Sequence, residues 1–220
     1  MRLPPPSAHF SQPVRYGRYV ARRLRRGRHT ALAADVENAT RQLRLRGREL
    51  EDADDPVQDA LADRDATDDD LDVLAQDVRH KLAGRSVEAA QKAPYKHIFP
   101  DGIGYYTAAP LDEEKKRYGE LKSRLIEHLA ADDAVRLEAI PAIEAGLVAF
   151  ASATSALDAA RTAEALAATR LDAARDAWSR LMEKIYGLLV SEVGKTAAER
   201  FFPRVRGSSK NKKKKGDAPA

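Results

Sequence analysis

Apolar residues recur every three or four positions through most of the chain, which is the spacing of one face of an α-helix. The first such stretch covers residues 30–51, where these apolar positions share a face: Leu32, Val36, Ala39, Leu43 and Leu50. A second stretch follows Pro56, which suits the first position of a helix, with Asp55 before it as a cap. The pattern predicts a helical hairpin over residues 29–93, with either one or two helices between 56 and 91.

The long region 111–203 has the strongest helical periodicity in the sequence. Ile143, Leu157 and Leu171 are separated by whole heptads, which favours coiled-coil packing in a single phase. Trp178 lies seven residues after Leu171, on the same helical face. We therefore expect the Trp178 side chain to lie in the core.

Two residues leave the continuity of this helical region open. Pro141 could start a helix or kink it, because proline removes a backbone hydrogen bond. Ser155, with Asp158 three residues later, could cap a new helix. Residues 135–200 therefore form either one continuous helix or a hairpin folded near 152–155.

The segment 94–110 breaks the helical period. Two β-prone runs, YKHIF and IGYYT, flank a Pro-Asp-Gly sequence in which Gly102 can adopt the positive φ of a turn. We expect a short β-hairpin or a compact irregular loop. Its aromatic and imidazole side chains form a candidate partner-binding surface: Tyr95, His97, Phe99, Tyr105 and Tyr106. The alternative is that the aromatic rings cover the ends of the neighbouring helices.

The composition supports a helical fold. Hydrophobic residues make up 43% of the chain but aromatic residues only 6%, so alanine, leucine and valine supply much of the apolar surface. Such a mixture suits long helices with a narrow buried stripe. We predict an all-α protein: an elongated helical bundle or a long antiparallel coiled-coil hairpin, with one short irregular or β-hairpin insertion and disordered termini.

Charge is strongly segregated along the sequence. Residues 1–48 contain twelve arginines and two carboxylates, whereas residues 49–77 contain thirteen carboxylates and one arginine. Opposite charges on neighbouring helices attract each other. One interpretation is that the acidic block packs beside the basic segment and neutralises it.

The two ends of the chain are basic. Residues 1–28 form an arm rich in proline and arginine, and residues 204–220 form a lysine-rich tail that we expect to be disordered. Flexible cations displace counterions from nucleic acid without reading its sequence, and they also suit anionic membrane surfaces. The candidate nucleic-acid-binding residues are Arg22, Arg23, Arg25, Arg26, Lys210, Lys212, Lys213, Lys214 and Lys215.

Several catalytic and ligand-binding motifs are missing from the sequence. The absence of cysteine excludes disulfides and thiol chemistry. Gly194-Lys195-Thr196 resembles the end of a phosphate-binding loop, but Leu189 stands where that motif requires glycine. The aspartates of 63–72 lack the glycine and glutamate of a calcium loop, and the histidines lack metal-ligand spacing. We therefore assign no catalytic, cofactor-binding or metal-binding residue, no cofactor and no enzymatic activity.

The sequence favours a cytoplasmic protein without integral membrane insertion, because prolines interrupt the N-terminus and no apolar run approaches the length of a span. Its best functional interpretation is a non-enzymatic scaffold or adaptor that mediates protein–protein interaction or self-association. The alternative is a sequence-independent nucleic-acid-associated protein that uses its basic ends.

Overall fold

The computed structural model describes residues 1–203, and these residues form helices and connecting turns without β-strands. The predicted all-α class is confirmed. The helices are α1 Ser11–Arg26, α2 Thr30–Ala83, α3 Tyr95–Ile98, α4 Gly104–Thr107, α5 Glu114–His128, α6 Ala134–Val193 and α7 Lys195–Glu199, with a 3-10 turn at Ala89–Gln91. The predicted disordered tail, residues 204–220, lies outside the described residues.

The chain divides into two compact units. We call residues 1–52 with the chain from 165 onward the terminal unit, and residues 53–164 the central unit. Because α2 and α6 are long, each of them contributes one part to each unit. These divisions differ from the sequence segments 29–93 and 111–203, which place whole helices in one segment.

In the terminal unit, α1 packs against the first part of α2 and the last part of α6. Its core contains Val20 and Leu24 of α1, Leu43 of α2, and Trp178 and Met182 of α6, each at most 2% exposed. The predicted core position of Trp178 is therefore confirmed.

The N-terminal residues are packed on this core rather than disordered or extended. Phe10 is buried, and its ring lies against Gly47, where an added Cβ would stand 2.4 Å from the Phe10 Cγ. Only a glycine leaves room for the ring at that point of α2. The predicted arm 1–28 therefore includes a docked segment followed by the amphipathic helix α1.

In the central unit, α5 packs between parts of α2 and α6. Its core is built from Leu71 and Val78 of α2, Leu121 and Leu125 of α5, and Ile143 of α6. Ile98, Phe99 and Tyr106 complete this core from the segment between α2 and α5.

The predicted hairpin within 29–93 is wrong, because α2 continues through Pro56 as a single helix. Leu43, Leu50 and Val57 stand seven residues apart, so the buried face stays in phase across the proline. Apolar burial along this continuous face stabilises the helix by more than the loss of one backbone hydrogen bond at Pro56 destabilises it. The helix α6 likewise continues through Pro141 and through residues 152–155, so a single helix up to Val193 replaces the hairpin alternative for 135–200.

The segment 94–110 forms two single-turn helices instead of a β-hairpin, so the irregular alternative holds. Gly102 has the positive φ that the turn requires, +77°. The two runs coil because this brings Ile98, Phe99 and Tyr106 onto the central core, with 0–3% of each residue exposed. A flat hairpin would direct alternate side chains to solvent.

By length and composition alone, α6 is apolar enough to cross a membrane, with an 18-residue window of mean hydropathy 1.5 and 17% of that window buried. Alanine is frequent in α6 and raises its mean hydropathy. A long run of bulky apolar residues is therefore not needed to reach this value. Ile143 and Leu157 of the same helix are buried in the central unit, which is also typical of the core helix of a soluble protein. The absence of membrane insertion stays a prediction.

Candidate functional site

The terminal unit has a groove between α1 and the first part of α2, and arginines from both helices line it. Two adjoining cavities form the groove, with volumes of about 490 and 240 Å³, and they share Arg18 and Glu37. The lining arginines are Arg18, Arg22, Arg25 and Arg26 of α1 and Arg41 and Arg44 of α2. We call this surface the arginine groove.

Helical periodicity explains why these side chains meet. In α1, Val14, Ala21 and Leu24 are buried, and Arg18 and Arg22 are exposed at the margin of this buried face. The same alternation on α2 exposes Arg41 and half-exposes Arg44, while Val36 and Leu43 face the core. Residues three or four apart share a face, and two such faces border the groove.

The two helices approach closely next to the groove. A Cβ on Gly17 of α1 would stand 2.1 Å from the Thr40 Oγ1 of α2, so glycine is required for this approach. The Thr40 hydroxyl is itself buried and accepts a hydrogen bond from the Trp178 indole Nε1 at 3.2 Å. This contact ties both walls of the groove to the core of the terminal unit.

The groove carries a large excess of positive charge. Glu37 is its single lining carboxylate, and the Arg25 Nη2 lies 2.7 Å from the Glu37 Oε2. Within residues 1–203, no ion pair joins Arg18, Arg22 or Arg41 to a carboxylate. These guanidinium groups are therefore free to bind an external anion.

The acidic block does not fold back onto the basic segment. Residues 30–83 form one helix, so residues 52–72 continue the helix that carries Arg41 and Arg44. They cannot be its antiparallel neighbour. An antiparallel packing of the acidic block against the arginines of α2 is therefore wrong.

Three of the four arginines predicted in α1, namely Arg22, Arg25 and Arg26, lie in the groove. Arg23 does not line it: its Nε donates a hydrogen bond to the Arg200 carbonyl oxygen at 3.2 Å. It lines a separate cavity of about 770 Å³ together with Arg2, Tyr19, Thr196, Glu199 and Arg200 among others. The five predicted lysines at 210 and 212–215 lie outside the described residues.

Sequence inspection did not assign Arg18, Arg41 and Arg44 to a site. A signal for them was present, because Arg18 stands four residues before Arg22, and Arg41 and Arg44 are three apart. The missing information was which side of α2 faces α1.

The candidate partner-binding residues mostly contact their own chain. Phe99 and Tyr106 are buried, with 3% and 0% of the residue exposed, and the Tyr106 hydroxyl donates to the Ile98 carbonyl oxygen at 2.9 Å. Tyr105 donates to the Glu120 Oε2 at 2.7 Å. These rings cover helices α2 and α5, as the alternative interpretation expected.

Two members of this set have more contact with solvent. Tyr95 is half-buried and accepts a hydrogen bond from the Arg79 Nε at 3.2 Å. His97 is exposed, with its ring centroid 4.9 Å from that of His128. No group of three or more potential ligands in residues 1–203 is arranged to hold a metal ion.

No protein-family model, curated protein sequence or solved structure is significantly similar to this chain. Its function is therefore inferred from its own residues, and the arginine groove is the surface whose chemistry is most specific.

Proposed function

We propose that the protein binds nucleic acid through the arginine groove, without sequence preference. The observation that supports this proposal is the convergence of six arginines from two helices on one groove with a single carboxylate. The sequence alone favoured a scaffold, partly because the acidic block was expected to occupy these arginines. That reason no longer applies.

The chemistry of the groove suits phosphate groups. A guanidinium presents several donors in a fixed plane and pairs with phosphate oxygens by two parallel hydrogen bonds. None of the residues that line the groove is aromatic, so the groove lacks the stacking platform on which unpaired bases are held. Backbone contacts of this kind carry no sequence information.

Replacing Arg18, Arg22, Arg41 and Arg44 with glutamine should weaken binding to a fluorescently labelled DNA duplex. The Kd at about 150 mM salt is expected to rise tenfold or more, because fewer condensed counterions are released on binding. The slope of log K against log salt should fall by about 0.9 for each phosphate contact that is lost. Fluorescence anisotropy across a salt series measures both quantities.

The matched control replaces four exposed cations of α6, Arg161, Arg170, Arg180 and Lys184, with glutamine, which removes the same charge from residues that do not line the groove. Glu37→Gln should change the affinity in the opposite direction, because it removes the lining carboxylate. Equal weakening by both four-residue variants would show a general charge effect, and no binding by the intact protein would refute the proposal.

The scaffold or adaptor hypothesis is a second candidate, and it rests on α6. Leu137, Val148 and Leu166 are 60%, 70% and 48% exposed, and their separations of 11 and 18 residues are close to whole numbers of helical turns. They therefore share one apolar face of α6. Coiled-coil association through this face stays a prediction.

If α6 mediates self-association, Val148→Glu should reduce the average mass of the protein at micromolar concentration toward that of the monomer. A charge placed on an apolar helix–helix contact would be buried without a partner. Sedimentation equilibrium after nuclease treatment measures this mass, with the exposed Arg161→Glu as the control. A monomeric wild-type protein would contradict self-association.

A further inference from the structure

Three carboxyl groups and a tyrosine meet in the central unit, where the beginning of α5 packs on α2. Asp68 and Asp72 stand one turn apart on α2, and Glu114 and Tyr118 stand one turn apart on α5. Only 1% of Glu114 and 0% of Tyr118 is exposed. The Tyr118 hydroxyl donates a hydrogen bond to the Asp72 Oδ1 at 2.8 Å.

The other two carboxyl groups interact with each other. The Glu114 and Asp68 side chains lie within hydrogen-bonding reach of each other. Carboxylates only accept hydrogen bonds, so this contact requires that one of the two groups carries a proton. Within residues 1–203, the buried Glu114 Oε2 and Asp68 Oδ1 accept no hydrogen bond from any donor group, so a second negative charge in this place would have no donor to stabilise it.

The nearby cations are already engaged. On α5, the Arg117 guanidinium lies 2.6 Å from Glu113 and donates to the Tyr105 carbonyl oxygen of α4, also at 2.6 Å. On α2, the Arg64 guanidinium lies 2.6 Å from Asp65. The remaining charged neighbour on α2, Asp69, is acidic and opposes further negative charge.

We propose that the proton shared by Glu114 and Asp68 is a latch that holds the beginning of α5 against α2. Loss of this proton places adjacent negative charges in a dry contact, and the latch then opens. The central unit therefore contains a pH-sensitive device whose contact loosens as the pH rises.

The direction of the pH dependence follows from the pKa of Glu114. Burial, and then the charges of Asp68 and Asp72, raise this pKa from 4.5 to about 8. Between those values the folded protein binds more protons than the unfolded chain, so stability is fully present below the lower value and falls as the pH rises toward the higher one. The pKa values of Asp68 and Asp72 are also raised, chiefly by burial, and act in the same direction.

Two other carboxyl groups act in the opposite direction. The pKa values of Glu113 and Asp133 are lowered by hydrogen bonds from Arg117 and Arg85. Their contribution is present above the ordinary carboxyl range and is lost as the pH falls. It therefore does not produce a loss of stability between pH 5 and 8.

Hydrogen exchange of the full-length protein tests the latch in peptides that cover residues 104–121. In the wild type, the equilibrium constant for opening should rise by up to about tenfold per pH unit between about pH 5 and 8. Glu114→Gln should remove most of this rise, because an amide can donate permanently to Asp68. Comparison with wild type at each pH cancels the intrinsic pH dependence of exchange.

Asp112→Asn is the matched control, since it neutralises an exposed carboxylate two residues before Glu114 and should keep the wild-type rise. An unchanged rise in Glu114→Gln would overturn the proposal. If that variant does not fold, Asp68→Asn tests the same proton and should reduce the rise, because an amide can donate to the ionised Glu114 carboxylate and the Asp68 charge is removed. Protection of the wild type at high pH by excess Mg²⁺ or Ca²⁺ that is lost in Glu114→Gln would also overturn it, because the cluster would then be a cation site.

Discussion

Replacing Trp178 with alanine is expected to reduce the free energy of unfolding of the terminal unit by about 3–5 kcal/mol. The side chain is 2% exposed and meets the Tyr16 ring edge-on, with 5.8 Å between ring centroids. Its removal leaves a cavity among α1, α2 and α6. The buried Thr40 hydroxyl also loses the indole donor at 3.2 Å. Urea unfolding followed by far-UV circular dichroism measures the change.

Two controls separate burial from other effects of the Trp178 substitution. Trp178→Phe retains much of the apolar contact but removes the hydrogen bond to Thr40, so it should cost less. Leu188→Ala on the same helix truncates a side chain that is 46% exposed, and its effect should be small. A Trp178→Ala variant that unfolds at the same urea concentration as Leu188→Ala would contradict the central place of Trp178 in the core.

Tyr106→Ala is expected to have a comparably large effect on the central unit, again about 3–5 kcal/mol. Tyr106 is fully buried, and its ring centroid lies 5.7 Å from that of Phe99. Its hydroxyl donates to the Ile98 carbonyl oxygen at 2.9 Å and accepts from the Arg124 Nη1 at 2.7 Å. Truncation removes the apolar contact and both hydrogen bonds, and urea unfolding measures the loss.

Tyr106→Phe isolates the contribution of the hydroxyl. It should cost about 1–3 kcal/mol, because the buried carbonyl and guanidinium lose a partner. Tyr105→Phe is the comparison, since its hydroxyl bonds to the Glu120 carboxylate nearer the surface. If Tyr106→Ala were no more destabilising than Tyr105→Phe, the ring would not be part of the core. Tyr106 would then again be a candidate partner-binding residue.

The apolar period of the sequence determined the fold class and much of the core. The spacing of Ile143, Leu157 and Leu171 predicted one phase along α6, and the same spacing predicted the burial of Trp178. These features depend on the relation of each residue to its neighbours on the same helix. The sequence alone specifies these relations.

Breaks in the helices were predicted less well, because turn signals are local whereas burial is not. Asp55 and Pro56 have the chemistry of a helix start, yet Leu43, Leu50 and Val57 keep one buried face across them. The segment 94–110 likewise has β-prone residues, but its short helices allow Tyr106 and Phe99 to bury their rings in the core. In both places the packing partner decided the backbone conformation.

The candidate sites depended most on tertiary structure. The sequence identified Arg22 as a candidate, but only the packing of α1 on α2 brings it into one groove with Arg41. Glu113 and Glu114 are adjacent carboxylates at the start of α5. Packing against α2 leaves one exposed to solvent and removes water from the other, because adjacent residues on a helix point about 100° apart. Helical periodicity is fixed by one segment alone, whereas charge convergence and desolvation require the second helix to be in place.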